Sequence, residues 1–331
     1  MNSRHLVDPA LLPAVDSMPP FSVTRETLAD LRAQLDTFMP AVMSAAFPTS
    51  GGIPVDVDRV EIVRDGSPPV PLLIYAPRAP SPAPRPTILH IHGGGFFLYA
   101  AAVMGPMNRV LADALNCVVA SVDYRLAPET PYPGPVEDCY AALTWLHANA
   151  QSRGIDPARI GLKGDSAGGG LAAALALYAR DHGGPPIAFQ QLLCPMLDDR
   201  TGSTIDPGPF AGEFVWTRDL NRFGWTALLG HEPGGDDVPA YASAARAAEL
   251  AGLPPTYISV GALELFLDED VEFAKRLARA GVPVELHVYP GGYHGFDIMP
   301  SEVPVVVASQ RDSLAWLKRQ LGVPTNSIGA N

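Results

Sequence analysis

A serine lies within the glycine-rich run Gly-Asp-Ser-Ala-Gly at residues 164–168. The run follows a short apolar segment at 160–162, which predicts a strand, and opens an Ala- and Gly-rich segment at 167–178, which predicts a helix. A serine on a sharp strand-to-helix turn has a strained backbone, and only small neighbours let the chain bend there without clashes. Because such a turn exposes the hydroxyl at the edge of a sheet, we predict that Ser166 is a nucleophile.

A serine hydroxyl is a weak nucleophile until a neighbouring base takes its proton. Of the eight histidines, His294 follows the last predicted strand, 284–289, in a glycine-rich loop. That loop leaves the carboxyl edge of a parallel sheet, which is the edge where Ser166 is expected to emerge. We therefore predict that His294 is the base.

A histidine base needs a carboxylate that orients the ring and stabilises its charged form. This acid should follow the predicted strand 257–260, and Glu264 lies just past that strand. Asp268 is the rival, with Asp270 as a more remote choice, but we expect Asp268 to be the N-cap of the next helix. We predict that Glu264 is the acid and leave Asp268 open as the alternative.

Three consecutive glycines, Gly93, Gly94 and Gly95, follow the predicted strand 87–91. Glycines leave their backbone N–H groups unobstructed, and ester hydrolysis passes through a tetrahedral oxyanion that such donors stabilise. We predict that two of these N–H groups and the N–H of Ala167 form an oxyanion hole; the sequence does not tell which two. A phosphate-binding loop is the alternative, but neither a Walker lysine nor dinucleotide-binding spacing accompanies the glycines.

Strand-like and helix-like patterns alternate along most of the chain and must position these groups. The predicted strands are residues 60–63, 72–75, 87–91, 118–122, 160–162, 187–193, 257–260 and 284–289. The predicted helices between and after them include residues 136–148, 167–178 and 268–280, and a last one from about Pro304 that buries Val307, Leu314, Leu317 and Leu321. Such alternation predicts an α/β fold with a mostly parallel sheet covered by helices on both faces.

Two segments do not follow the alternation. Residues 198–239 lack a strand pattern but are too apolar for a disordered loop. Within residues 1–50, one helical pattern runs over 24–39 and ends before Pro40. We predict that both segments form a helical cap over the carboxyl edge, while residues 51–197 and 240–331 form the catalytic core.

Aromatic residues of the cap and of the glycine loop are candidates for the substrate pocket. Trp216 belongs to the predicted cap, and Phe96 and Tyr99 follow the three glycines. We expect these three side chains to line the pocket, with packing of the cap onto the core as an equally good alternative. His90 and His92 are spaced to share a face of an extended segment, but no third ligand is evident, so we predict no metal.

Composition restricts the partners. The chain has 331 residues, 47% of them hydrophobic, which suits one large domain with an appendage. A net charge of −12 without a Lys/Arg cluster argues against nucleic acids and anionic membranes. Three cysteines without a Cys-x-x-Cys pair, together with the lack of a signal-like or membrane-spanning stretch, predict a cytoplasmic protein with free thiols. A homodimer is compatible with the sequence.

Four motifs together resemble the hormone-sensitive-lipase-like (bacterial family IV) esterases. They are HGGGFF at 92–97, DYRLAPE at 123–129, GDSAGGG at 164–170 and YPGGYHGF at 289–296. The similarity covers about residues 60–320. It implies an α/β-hydrolase fold with an eight-stranded sheet and a helical cap, and hydrolysis of short-to-medium acyl esters without a cofactor.

The resemblance assigns the same roles to the residues singled out above. It implies that Ser166 is the nucleophile and His294 the base, and that His92 supports the glycine loop. One departure concerns the acid, because the family's usual Asp-Pro-Leu-x-Asp-Glu reads Glu-Leu-Phe-Leu-Asp-Glu at 264–269. A protein of this fold that binds a small ligand without turnover, or a peptidase, is the alternative function.

Overall fold

The computed structural model describes residues 3–17, 22–48, 52–298 and 302–323. One eight-stranded sheet runs through it in the order β1-β2-β4-β3-β5-β6-β7-β8. The strands are β1 Val55–Arg64, β2 Ser67–Pro77, β3 Arg85–Ile91, β4 Val118–Val122, β5 Ile155–Asp165, β6 Gln190–Leu193, β7 Thr256–Gly261 and β8 Val284–Tyr289. β2 pairs antiparallel with β1 and β4, and the remaining neighbours are parallel. The predicted mostly parallel sheet of eight strands is confirmed.

Helices cover both faces of this sheet. Within the described residues they are α1 Leu12–Ser17, α2 Leu28–Ala46, α3 Gly105–Leu115, α4 Gly134–Ala148, α5 Ala150–Arg153, α6 Ala167–Asp181, α7 Arg218–Leu229, α8 Leu267–Arg279 and α9 Pro304–Leu321. Successive strand residues point to opposite faces. Accordingly, Ile88 of β3 packs in a cluster with Leu115 of α3 and Trp316 of α9, whereas Leu89 packs in a cluster with Leu143 of α4 and Leu175 of α6.

The N-terminal helix differs from its prediction at both ends. α2 begins at Leu28 and continues through Pro40 to Ala46, whereas the pattern predicted residues 24–39. A proline inside a helix removes one hydrogen bond and costs about 3 kcal/mol. The helix continues because Met43, beyond the proline, is fully buried against Met104 and Met107. Tertiary packing therefore outweighs the local penalty.

Two smaller corrections concern α8 and α9. α8 begins at Leu267 after the N-cap residue Phe266, so Asp268 lies in the first turn and is not the N-cap that the sequence predicted. In α9 the expected core residue Val307 is 44% exposed, and the buried position is its neighbour Val306. A one-residue error in helical phase turns a predicted buried position by 100°, which moves it out of the core.

Among the described residues, the two segments predicted to form a cap contain three α-helices, α1, α2 and α7, and a short 3-10 helix at Ser3–Leu6. α1 was not predicted from the sequence. Residues 1, 2, 18–21, 49 and 50 of the predicted N-terminal cap segment, and 299–301 and 324–331 of the last core segment, lie outside the described residues. Among the helices described, none is long and apolar enough to cross a lipid bilayer.

Candidate active site

Ser166 occupies the sharp turn between β5 and α6. Its backbone has φ 57° and ψ −121°, a strained combination for a residue with a side chain. The turn is held on both sides of the serine, because Ser166 N–H donates to Leu193 O at 2.8 Å and Ser166 O accepts from Met196 N–H at 3.0 Å. The residue is only 7% exposed. The strand-to-helix turn predicted from the sequence is therefore present.

Glycines on either side of Ser166 make this turn sterically feasible. A Cβ on Gly164 would lie 2.2 Å from the carbonyl oxygen of Gly168, and a Cβ on Gly168 would lie 2.1 Å from that of Ile91. Both distances are too short for real atoms, so no larger residue fits at either position without backbone movement. α6 thus packs directly against β3, with its N-terminus and the Ala167 N–H at the carboxyl edge of the sheet.

His294, which is partly buried, and the buried Glu264 form a hydrogen-bonded pair. His294 follows β8 and Glu264 follows β7, and Nδ1 of the imidazole lies 2.8 Å from Oε2 of the carboxylate. The other carboxylate oxygen, Oε1, accepts from Leu265 N–H at 2.8 Å. A carboxylate only accepts, so Nδ1 carries the hydrogen and Nε2 is left able to accept a proton.

The two other acids considered for this role lie elsewhere. Asp268 is solvent-exposed in the first turn of α8. Asp270 is fully buried, and neither of its carboxylate oxygens has a hydrogen-bond partner among the described residues. Burial, followed by the nearby charges of Glu269 and Glu264, raises the pKa of Asp270 well above its ordinary value. The structure thus brings Glu264, and not Asp268, to the imidazole.

Trp216 lies close both to His294 and to the glycine loop beside Ser166. Its ring centroid lies 5.8 Å from that of His294, and a Cβ on Gly95 would lie 2.1 Å from its Cη2 atom. A Cβ on Gly93 would in turn lie 3.3 Å from Cβ of Ser166.

The hydrogen bonds of the described residues do not include one between Ser166 and His294. Catalytic hydrogen bonds are often long until a substrate binds, so this geometry is compatible with catalysis.

In the glycine loop after β3, the carbonyl oxygens accept hydrogen bonds, whereas the N–H groups of the three glycines donate none within the described residues. His92 O accepts from Tyr124 Oη at 2.9 Å, Gly93 O lies 2.8 Å from His92 Nδ1, and Gly94 O accepts from Leu98 N–H at 2.8 Å. Within the described part of the chain, none of the N–H groups of residues 93–95 donates a hydrogen bond. Each peptide unit of the loop is therefore fixed through its oxygen and offers its N–H to a ligand.

A buried polar network holds together the ends of β3 and β5, which lead into the glycine loop and the serine turn. His90 Nε2 donates to Asp165 at 2.9 Å, Lys163 forms an ion pair with the same carboxylate, and His90 Nδ1 lies 2.9 Å from Ser121 Oγ. Burial acts to raise the pKa of Asp165, but Lys163 and His90 outweigh it and hold that pKa below its usual range. Burial lowers the pKa of His92 to about 4, so its ring is neutral near pH 7.

Three side chains, one of them that of His294, are of types that commonly ligate metal ions. Single ligand atoms of Cys194, Glu264 and His294 all lie within 4.8 Å of one another. The histidine and the glutamate already bond to each other. Burial and then the surrounding carboxylates raise the pKa of the Cys194 thiol well above its ordinary value, so it is protonated and a poor ligand. These three side chains are therefore poorly suited to hold a metal ion.

The other two predicted pocket residues, Phe96 and Tyr99, contact different parts of the chain. Phe96 is buried against Trp225, with ring centroids 5.2 Å apart. Tyr99 packs beside a cluster that includes Met43 of α2, and burial, followed by the charge of Asp36, raises its pKa to about 12. The structure therefore brings Trp216 to the histidine and the glycine loop, and it places Phe96 beside Trp225 of α7 and Tyr99 beside α2.

Sequence reasoning missed a strained turn that presents Trp216. Trp216 N–H donates to Phe214 O at 2.7 Å across Val215, whose φ is 62°. A three-residue turn of this kind is rare, and a β-branched residue at positive φ is a genuine outlier. Nothing local predicts it, because glycine and asparagine are the residues that signal positive φ.

Comparisons with known proteins agree with this fold. A family model described as alpha/beta hydrolase fold matches residues 88–298. Esterase LipI of Mycobacterium tuberculosis (strain ATCC 25618 / H37Rv) is 34% identical over 325 residues, which cover 96% of each chain. Carboxylesterase NlhH of the same strain is 36% identical over 273 residues, which are 80% of this chain and 83% of that one. A solved structure titled Bacterial Heroin Esterase superposes with a TM-score of 0.87 at 39% identity, covering 97% of this chain and 99% of that one.

Proposed function

The chain belongs to the alpha/beta hydrolase family whose model it matches, and from that premise we propose that it hydrolyses carboxylic esters with Ser166 as nucleophile, His294 as base and Glu264 as the acid. The observation that carries this proposal is the 2.8 Å bond between His294 and Glu264. It leaves Nε2 of the imidazole to take a proton at the edge of the sheet where Ser166 follows β5. The esterase names of the relatives support the same reaction.

The reaction proceeds in two acyl transfers. Ser166 Oγ attacks the ester carbonyl carbon while His294 Nε2 takes the hydroxyl proton, and Glu264 stabilises the imidazolium that forms. The oxyanion accepts hydrogen bonds from Ala167 N–H and from two N–H groups of residues 93–95. The imidazolium then gives its proton to the departing alcohol. Water attacks the acyl-enzyme by the same path and releases the acid and the free serine.

The proposed substrates are esters with short-to-medium acyl chains. Trp216 is the side chain that supports this limit, because it lies over Gly95 and beside His294. Its indole N–H donates to Asn221 Oδ1 at 3.2 Å, which holds the ring in place. A fixed aromatic ring at this point restricts the space for a long acyl or alcohol group. We propose that α2 and residues 198–239 act as the cap over this space.

Labelling and turnover of a serine variant test the proposal. Ser166→Ala should lose hydrolysis of p-nitrophenyl acetate by more than about 1,000-fold while keeping its circular dichroism spectrum. A fluorophosphonate probe should label the wild type at Ser166 and leave the variant unlabelled. Ser152→Ala, at an exposed serine, is the control with unchanged turnover. A wild type that is neither labelled nor active on any ester would favour a ligand-binding role, and full activity of the variant would refute the assignment.

The size of the pocket is tested by an acyl-length series. Trp216→Ala should shift the preferred p-nitrophenyl ester towards longer chains, because it removes the ring above the glycine loop. The same shift with Trp225→Ala, which removes a fully buried tryptophan beside Phe96, would show that the preferred acyl length depends on packing of the cap and not on a pocket wall at Trp216.

The cytoplasmic location and the homodimer remain predictions. Gel filtration of the purified chain tests the homodimer.

A further inference from the structure

An arginine of the N-terminal helix reaches the glycine loop. Arg32 of α2 donates from Nε to Phe97 O at 2.8 Å and from Nη2 to Ala127 O at 2.9 Å. The same guanidinium forms a two-pronged ion pair with Glu129, with N–O distances of 2.7 and 3.0 Å. Arg32 is 23% exposed at its side chain and Glu129 61%. The proposed mechanism gives this residue no part.

A chain of peptide hydrogen bonds leads from Arg32 to the proposed oxyanion hole. Phe97 O, which accepts from Arg32, belongs to the same peptide unit as Leu98 N–H. Leu98 N–H donates to Gly94 O at 2.8 Å, and Gly94 O shares its peptide unit with Gly95 N–H. That last N–H is one of the free donors of the loop. Two peptide units therefore connect the positive charge of Arg32 to one of the proposed oxyanion donors.

Hydrogen bonds arranged in this way strengthen one another. A peptide carbonyl that accepts a bond makes the N–H of its own unit a better donor, by about 10–30% per bond. The guanidinium is a charged donor, and charged hydrogen bonds are roughly twice as strong as neutral ones. Arg32 therefore both fixes the Phe97–Leu98 peptide in place and polarises the path to Gly95.

We propose that Arg32 is a positioning residue for the oxyanion hole, which couples closure of α2 over the core to stabilisation of the transition state. The proposal rests on the function proposed above. Ala127, the second acceptor of Arg32, itself donates from its N–H to Phe96 O at 3.0 Å, so both backbone contacts of the guanidinium lead into the loop. Loss of the Arg32 side chain removes both contacts and leaves the loop without this support.

The ion pair with Glu129 makes it possible to distinguish two effects of Arg32. One is support of the oxyanion hole, and the other is attachment of α2 to the core. Exposed ion pairs contribute little, about 0–1 kcal/mol. Glu129→Gln leaves both backbone contacts of Arg32 in place, so it weakens the ion pair without breaking the path to Gly95. Arg222→Ala is the matched control, because Arg222 lies on α7 of the cap and pairs only with the exposed Glu232 among the described residues.

The experiment compares kcat, KM and binding of an aryl trifluoromethyl ketone, whose adduct with Ser166 carries an oxyanion. We expect Arg32→Ala to lower kcat by about 10-fold and the affinity for the ketone by a similar factor, with KM changed less than about twofold. Glu129→Gln and Arg222→Ala should stay within about twofold of the wild type on all three measures. The infrared band of the acyl-enzyme carbonyl should move towards that of a free ester in Arg32→Ala, since the hydrogen bonds to its oxygen weaken.

Three outcomes would overturn the proposal. They are unchanged ketone affinity in folded Arg32→Ala, an equal loss in Glu129→Gln, and a loss confined to KM. If Arg32→Ala does not fold, Arg32→Lys keeps the charge with fewer directed donors, and wild-type ketone affinity in that variant overturns the proposal as well. Failure of the underlying function is distinct, because the wild type itself would then neither turn over esters nor react with fluorophosphonate at Ser166.

Discussion

Glu264 is longer by one methylene than the aspartate that the resemblance leads us to expect, and both of its oxygens are used. One meets His294 Nδ1, and the other accepts the N–H of Leu265. We expect Glu264→Gln to lower kcat by about 1,000- to 10,000-fold, because an amide can present its NH₂ to Nδ1 and favour the wrong tautomer. Glu264→Asp should lose roughly 10- to 100-fold, since the shorter carboxylate lies about 1 Å too far back. Steady-state kinetics with p-nitrophenyl acetate measure both.

Asp268→Asn is the control for the acid. Asp268 is exposed and lies four residues further along, in the first turn of α8. Its kcat should remain within about twofold of the wild type. A large loss in Asp268→Asn together with a small loss in Glu264→Gln would transfer the role to Asp268.

Gly95 faces a constraint that goes beyond its backbone angle. Its φ is 60°, and an added Cβ would lie 2.1 Å from Trp216 Cη2. We expect Gly95→Ala to lower kcat by about 100-fold or more, because either the ring or the N–H donor must move. Gly154→Ala is a matched control, since Gly154 has φ 63° and open space around its Cα. It should lose about 1–2 kcal/mol of stability and no activity. Equal activity loss in the two variants would mean that the Trp216 contact is irrelevant.

The sequence predicts those site residues whose signal is local. Ser166 and the three glycines lie in short runs that directly follow a strand, and His294 follows another. Arg32 has no such signal, because it acts on Phe97, which is 65 positions away in the chain, from a largely exposed helix. The bond between Glu264 and His294 spans 30 positions, and the sequence could only rank Glu264 against Asp268.

At the scale of elements, the carboxyl groups of α8 should give the protein an unusual dependence on pH. Burial, then Glu269 and Glu264, raises the pKa of Asp270, and burial likewise raises that of Glu269. A group whose pKa is raised on folding stabilises the fold below its unfolded pKa, and this contribution is lost as pH rises through the folded value. Stability from these two acids should therefore fall as pH rises above about 4.

Asp270→Asn tests this expectation, because the amide has the same shape and does not ionise. Its free energy of unfolding should rise relative to that of the wild type by up to about 1.4 kcal/mol per pH unit above pH 4, up to the folded pKa. Urea unfolding at pH 5 and pH 8 measures the difference, with Asp268→Asn as the exposed control. A parallel pH dependence of Asp270→Asn and the wild type would contradict a buried, protonated Asp270.

Predicted elements agree with the structure where burial is uniform. β4, Val118–Val122, is buried at every position, and its apolar run predicted both ends. β5 begins at Ile155, five residues before the predicted start. That start was missed because residues 156–159, Asp-Pro-Ala-Arg, are exposed or half-buried and give no run of apolar residues. The end of α2 was missed for the opposite reason, since distant packing of Met43 overrides the local effect of Pro40.

At the scale of the whole molecule, the N-terminal segment, residues 3–17, contacts the loops that carry Glu264 and His294. Val7 and Leu11 pack in one cluster with Leu263 and Tyr293, the residues that precede Glu264 and His294. Asp8 N–H donates to Gly291 O at 3.2 Å, at the start of the histidine loop. Ser3 donates from both N–H and Oγ to Glu213, at 2.5 Å each, two residues before the Val215 turn. The segment thus holds both the histidine loop and the turn that presents Trp216.

Because these contacts join the N-terminal segment to the core, we expect the two to unfold together. Leu11 is fully buried, and Leu11→Ala should lower the free energy of unfolding by about 2–4 kcal/mol. Leu6, in the same segment, is 42% exposed, and Leu6→Ala should change it by less than about 0.5 kcal/mol. In urea, loss of esterase activity and loss of helical circular dichroism should share one midpoint, and Leu11→Ala should shift both by the same amount. Activity lost well before the helical signal would mean that the segment detaches alone, and an unshifted midpoint in Leu11→Ala would mean that it adds nothing to the fold.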